Sequence, residues 1–98
     1  MKVKVNWTEI AKEDYWKNID YLNEYWTIIE VQKFMDEVSQ TIKLLELGRV
    51  TFKKSEFPNV FEVPVVPQIQ LYYHFLNDHT IELLRFWSNL KDPKSLKL

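Results

Sequence analysis

The sequence predicts an α+β fold of two layers: a helical hairpin packed on a four-stranded antiparallel sheet, in the order β-α-α-β-β-β. Three observations predict it. Apolar residues recur every three or four positions from Ala11 to Leu45, and they alternate with polar ones before and after that stretch. The only glycine, Gly48, stands at the changeover between the two periods. Four Trp, five Tyr and six Phe supply a core of large side chains, each able to bury about 150–250 Å². A chain of 98 residues makes one domain, 1–98, and this composition argues against disorder.

The elements follow in order. Val3, Val5 and Trp7 alternate with Lys2, Lys4 and Asn6, the pattern of a short half-buried strand. Thr8 reads as an N-cap, and Ala11, Tyr15, Ile19 and Leu22 mark a first helix ending near Asn23. Thr27 and Glu30 fit a capping box for a second helix, whose face runs through Val31, Phe34, Met35, Val38, Ile42 and Leu45. Gly48, in the left-handed position past its end, stops that helix near Leu47. The connection from Arg49 to Asn59 is polar. Phe61, Val63 and Val65 form a strand that Pro64 assigns to a sheet edge or a bulge, because proline has no N–H to give a ladder. Ile69 to Phe75 is the clearest alternating segment, and Asn77-Asp78-His79 makes a turn. Thr80 to Trp87 is apolar on both sides, as a central strand should be, and Asp92-Pro93 ends regular structure.

Composition excludes several classes of function. Without cysteine there is neither a disulfide framework nor a thiolate metal site. His74 and His79, five apart with no third ligand near, make a poor zinc site, and one glycine cannot build a phosphate-cradling loop. No metal and no cofactor is expected. The net charge of −1 comes from interleaved acids and lysines, so no global basic field exists to draw nucleic acid. A local patch for phosphate would have to come from Lys2, Lys4, Lys53, Lys54, Arg85 and Lys91. No apolar run approaches the ~20 residues of a membrane span, and Met1 to Val5 lacks the apolar centre of a secretory leader. A cytoplasmic location and no membrane partner are expected.

Candidate site residues lie on the last two strands. His74 and Tyr72 share one face with Gln70, and a histidine there can move protons near neutral pH. Arg85 interrupts the apolar run from Ile81 to Trp87. It is either a cation presented on a rigid strand to a phosphate or a partner's carboxylate, or a structural group stacked on Trp87 or paired across the sheet with Glu62. Alternation places Leu84 and Phe86 on the helix side and Leu83 and Arg85 on a side open to a partner. Trp16, Tyr21, Tyr25 and Trp26 group around the helical turn, partly off the core stripe, and form a candidate partner surface together with Arg85 and Trp87.

The combination Trp7-Thr8, Ala11, Asp14, Ile19, Tyr21-Leu22 and Trp26 early in the chain, with Leu83-Leu84-Arg85-Phe86-Trp87 and Asp92-Pro93 late, resembles the RelE/ParE superfamily of bacterial toxins over essentially the whole length. The resemblance implies the toxin of a type II toxin–antitoxin pair, neutralised by a cognate antitoxin in a possible hetero-oligomer. It also implies one of two targets, DNA gyrase for ParE-like members or ribosome-bound mRNA for RelE-like ones. An mRNA endonuclease of this kind would use His74, Tyr72 and Arg85, with Lys53, Lys54 and Lys91 on phosphate. The sequence departs from the RelE pattern where basic residues are expected: Phe61-Glu62-Val63 on one strand, Gln70 on the next, and no aromatic or histidine after Trp87. The departures favour the ParE-like reading slightly. A protein-interaction module of the same fold without toxicity is a third reading.

Overall fold

The computed structural model describes residues 2–48, 50–89, 91 and 95–98. Strand β1 (Lys4–Trp7) is followed by helices α1 (Glu9–Tyr25) and α2 (Ile28–Glu46). Strands β2 (Lys53–Lys54), β3 (Phe61–Val66), β4 (Ile69–Asn77) and β5 (Thr80–Ser88) complete the chain. The expected end of regular structure at Asp92-Pro93 lies outside the described residues.

Caps fix both helices. The Thr8 hydroxyl accepts from the Ala11 N–H at 3.1 Å, and the Thr27 hydroxyl accepts from the Glu30 N–H at 3.4 Å. Helix α2 is capped at Leu47, after which Gly48 turns with φ 70°, a left-handed value that costs glycine nothing. Helix α1 runs two residues beyond Asn23, to Tyr25, because the chain keeps its helical bond from the Trp26 N–H to the Leu22 carbonyl at 2.9 Å.

The sheet corrects the expectation of four antiparallel strands. It has five strands in the order β1-β5-β4-β3-β2, and β1 runs parallel to β5. Alternation marks Val3, Val5 and Trp7 as a strand but carries no information about direction. The added strand, β2, consists of Lys53 and Lys54 set against Glu62 and Phe61. A two-residue polar strand has no periodicity to read. Strand β5 is interior, as its apolar run implies. Pro64 lies beyond the reach of β2, and the ladder shifts register between Pro64 and Val66, so it occupies both an edge and a bulge.

The core lies between the helices and one sheet face. Ala11, Leu22, Phe34, Val38 and Leu45 of the helices pack on Val63, Leu71, Tyr73, Ile81, Leu83 and Phe86. Each such large side chain contributes roughly 1.5–3 kcal/mol by leaving water. Rings set the geometry: Tyr15 meets Phe34 at 5.3 Å and Trp7 at 5.2 Å, and Phe61 stacks on Tyr73 at 5.5 Å.

The core also corrects the place of Leu83, expected on the open side of β5 with Arg85. Leu83 and Phe86 both belong to the core cluster, although they are three residues apart and simple alternation would separate them. The β4–β5 ladder shifts register between Tyr72 and Tyr73, which pair with Arg85 and Leu83, so Leu84 is the extra residue. This bulge turns Phe86 inward and leaves Arg85 opposite Tyr72 on the outer face.

Candidate functional site

Two surfaces carry the residues singled out by the sequence: the sheet face turned away from the helices, and the tip of the helical hairpin.

The outer face is built from cross-strand pairs. Glu62 lies opposite Tyr72, Tyr72 opposite Arg85, His74 opposite Glu82, and Gln70 opposite Trp87. His74, Tyr72 and Arg85 are therefore brought onto one surface. Two of its basic side chains have carboxylate neighbours. His74 Nε2 lies 2.8 Å from Glu82 Oε1, and Lys53 Nζ lies 3.6 Å from Glu62 Oε1. The Tyr72 phenol is pushed above its ordinary pKa by burial first, then by the carboxylate of Glu62, which also takes its hydrogen bond, and by Glu56. Lys91 Nζ sits 5.1 Å from the centre of the Trp87 ring. Lys54, the other half of the expected phosphate pair, borders a cavity of about 620 Å³ with Phe57, Phe61, Phe75 and His74.

Arg85 has a different partner from the one expected. It does not reach Glu62. Its Nε donates to Asp14 Oδ2 at 2.6 Å and its Nη2 to Asp14 Oδ1 at 3.2 Å, a two-pronged bond to helix α1. The stack on Trp87 is present, with the guanidinium carbon 5.1 Å from the ring centre. Nη1 also donates to the Lys97 carbonyl at 3.1 Å.

The physical reason lies at the edge of β5. Strand β1 pairs with β5 only as far as Leu83, so beyond it the side of β5 away from β4 faces no strand. Helix α1 supplies the missing partners. The Phe86 N–H donates to Asp14 Oδ2 at 3.1 Å, and Asn18 Nδ2 donates to the Phe86 carbonyl at 3.1 Å. The Thr8 hydroxyl donates to the Leu83 carbonyl at 2.9 Å. Asp14 and Asn18 are buried, and between them they satisfy the N–H and the carbonyl of Phe86, which β1 does not reach. The sequence offered one signal for this: two polar residues four apart inside the apolar stripe of Ala11 and Leu22. Glu82, the partner of His74, was also missed, because its pairing depends on the irregular ladder.

The outer face is partly covered by the chain itself. Trp87, a candidate partner contact, is only 8% exposed, and Leu96 is buried, bordering a small cavity with Glu56, Phe57, Glu62 and Tyr72. Trp87 Nε1 and Gln70 Oε1, a donor and an acceptor on opposed residues, are buried without a hydrogen-bond partner among the described residues. Arg85 keeps 18% of its side chain in solvent, and His74 and Glu82 keep 30% each.

The hairpin tip is the opposite case. Tyr25, Trp26, Ile28 and Ile29 are all exposed, and Tyr21 stacks on Tyr25 at 4.9 Å between ring centres. Trp16 is exposed too but does not join them. It lies beside Tyr15, and the nine residues between Trp16 and Tyr25 correspond to half a turn of rotation and roughly 13 Å of helix.

Among the described residues no three metal-ligating side chains converge, and no helix is long and apolar enough to cross a membrane. No protein-family model matches the chain, and no curated sequence matches it significantly. Solved structures do match. A chain of the chromosomal ParDE toxin–antitoxin system of P. aeruginosa superposes with a TM-score of 0.73 at 17% identity, over 89% of this chain and 96% of that one. The YoeB dimer of Staphylococcus aureus gives 0.58 at 14% identity, over 88% and 95%. A copper-bound mutant toxin from Helicobacter pylori gives 0.55 at 20% identity, over 90% and 96%. The fold of this chain is the one these three structures share.

Proposed function

We propose that this chain is the toxin of a toxin–antitoxin pair, held inactive by a cognate antitoxin protein, and that it acts by docking on DNA gyrase in the manner of ParE. One observation carries the choice of mechanism. Three basic side chains of the outer sheet face each have a carboxylate partner within the chain: Lys53 with Glu62, His74 with Glu82, and Arg85 with Asp14. Metal-free cleavage of RNA needs a base for the 2′-hydroxyl, an acid for the leaving oxygen, and cations free to meet the charge that grows on phosphate. Here Tyr72 holds its proton beside Glu62 and Glu56, and a polyanion would meet carboxylates as it approached. The fold likeness to the ParDE chain supports the same choice. Partner contacts are proposed at Trp16, Tyr25 and Trp26 on the hairpin and at Arg85 and Trp87 on the outer face.

Induced expression without the antitoxin gene is expected to arrest growth, and purified protein to inhibit supercoiling by gyrase. An unaffected supercoiling reaction alongside growth arrest would overturn the gyrase reading. One observation favours the RelE-like alternative: His74 and Lys54 border the same cavity, with room for a nucleotide. That alternative predicts transcript cuts in primer extension after induction, abolished by His74→Ala, with Lys53, Lys54 and Lys91 contacting phosphate.

A further inference from the structure

The exposed apolar residues of the hairpin tip form the least explained surface of the molecule. Tyr25 is 67% exposed, Trp26 45%, Ile28 70% and Ile29 73%, within five consecutive positions. Neither the N-cap at Thr27 nor the end of α1 at Tyr25 needs these side chains, since both rest on backbone groups and the Thr27 hydroxyl. Isolated exposed apolar residues are ordinary, but a run of four around one turn marks a docking surface.

The charge around this knob says what kind of surface fits it. From Asp20 to Glu30 the chain carries three carboxylates, Asp20, Glu24 and Glu30, and no lysine or arginine. None of the three forms an ion pair among the described residues. The two helices together carry nine carboxylates against four lysines, so the field beyond the tip keeps the same sign. Anionic lipid headgroups and nucleic acid are repelled by it, whereas cations beside an apolar surface gain from both components.

We infer that the tip formed by Tyr25, Trp26, Ile28 and Ile29 docks an amphipathic, lysine- or arginine-bearing segment of a partner protein. The apolar side of that segment covers the knob, and its cations meet Asp20, Glu24 and Glu30. The inference rests on the reading of the hairpin as a partner surface, and it holds for either toxin target.

The test titrates the full chain with two synthetic amphipathic helices of equal length, one leucine–lysine and one leucine–glutamate, following tryptophan fluorescence and calorimetric heat. The leucine–lysine peptide is expected to bind at least tenfold more tightly, and the preference is expected to shrink as salt rises. Ile28→Asp/Ile29→Asp is expected to weaken that binding at least tenfold, with unchanged circular dichroism. Leu44→Asp, which alters an exposed apolar residue roughly 24 Å further along α2, is expected to leave it unchanged. Equal binding of the two peptides, binding of neither, preference for lipid vesicles over the leucine–lysine peptide, or self-association through the tip in sedimentation would each overturn the inference. Growth arrest is measured in parallel. A toxic protein that ignores the leucine–lysine peptide refutes the docking chemistry. A harmless protein that binds the peptide as described supports it and refutes the toxin reading.

Discussion

Asp14 is the side chain on which the far half of β5 depends, and removing it tests that account. It accepts three hydrogen bonds: two from Arg85 and one from the Phe86 N–H, at 2.6, 3.2 and 3.1 Å. Asp14→Ala orphans a buried backbone donor, which costs about 1–3 kcal/mol. It also strips the partner from a guanidinium whose side chain is only 18% exposed. Breaking a fully buried pair costs about 3–5 kcal/mol, and the share here is smaller because Arg85 keeps its stack on Trp87, the Lys97 carbonyl and some access to water. The two losses together come to about 3–4 kcal/mol. For a domain of this size that corresponds to a fall in Tm of roughly 12–30 °C. Arg85→Ala removes the ion pair but leaves Asp14 bonded to the Phe86 N–H, so it should cost less, by about the 1–3 kcal/mol of that backbone bond. Urea melts of the two single variants and the double variant measure all three quantities. A cost below about 1 kcal/mol for Asp14→Ala, or equal costs for the two single changes, would refute the claim that this carboxylate closes the edge of the sheet.

Two further outcomes follow from the same geometry. Thr8→Ala should cost about 2 kcal/mol, because the hydroxyl both caps α1 and donates to the Leu83 carbonyl, whereas Thr27→Ala, an exposed cap at 3.4 Å, should cost about 0.5–1 kcal/mol in the same melts. Burial raises the phenol pKa of Tyr15, Tyr72 and Tyr73 above the 10.0 of the unfolded chain. Just above pH 10 the unfolded state therefore sheds these protons first, so stability should hold up to pH 10 and fall beyond it, and Tyr72→Phe should lessen the fall. Urea midpoints followed through that range, with tyrosinate absorbance, check the direction.

Most of the fold was legible because its signals are local. Caps at Thr8 and Thr27, the stop at Gly48, the turn at Asp78-His79 and the alternation from Ile69 to Phe75 each depend on neighbours in sequence. The features that were not legible depend on distant pairing. The direction of β1 is set by its union with β5, and β2 exists only because Phe61 and Glu62 offer Lys53 and Lys54 a ladder. The bulge at Leu84 belongs to the same class. A register shift adds no residue type that a pattern could detect, so alternation placed Leu83 on the open side, although Phe86 and Arg85 lie on the sides it gave them. His74 and Tyr72 share one face as read, since they alternate on a regular strand, and the ladder brings Arg85 opposite Tyr72. Their acidic partners were not foreseen, because Asp14 lies 71 positions before Arg85 and Glu82 pairs through the irregular ladder.

The bulge also decides what Arg85 is available to do. Without the extra residue, strict alternation would carry Arg85 under the helices and turn Phe86 outward. With it, Phe86 fills the core, its N–H points at helix α1, and Arg85 emerges at the edge beside the same carboxylate. One Asp14 oxygen therefore terminates the sheet and neutralises the cation together. A phosphate that drew Arg85 away would leave Asp14 buried with an unmatched charge, a cost of the same order as the gain from the new contact. The hairpin tip carries no such obligation: Tyr25, Trp26, Ile28 and Ile29 can be covered by a partner without disturbing any bond that holds the fold. Affinity gained there is not offset by lost stability, and for that reason the search for this protein's partner begins at the tip of the helices.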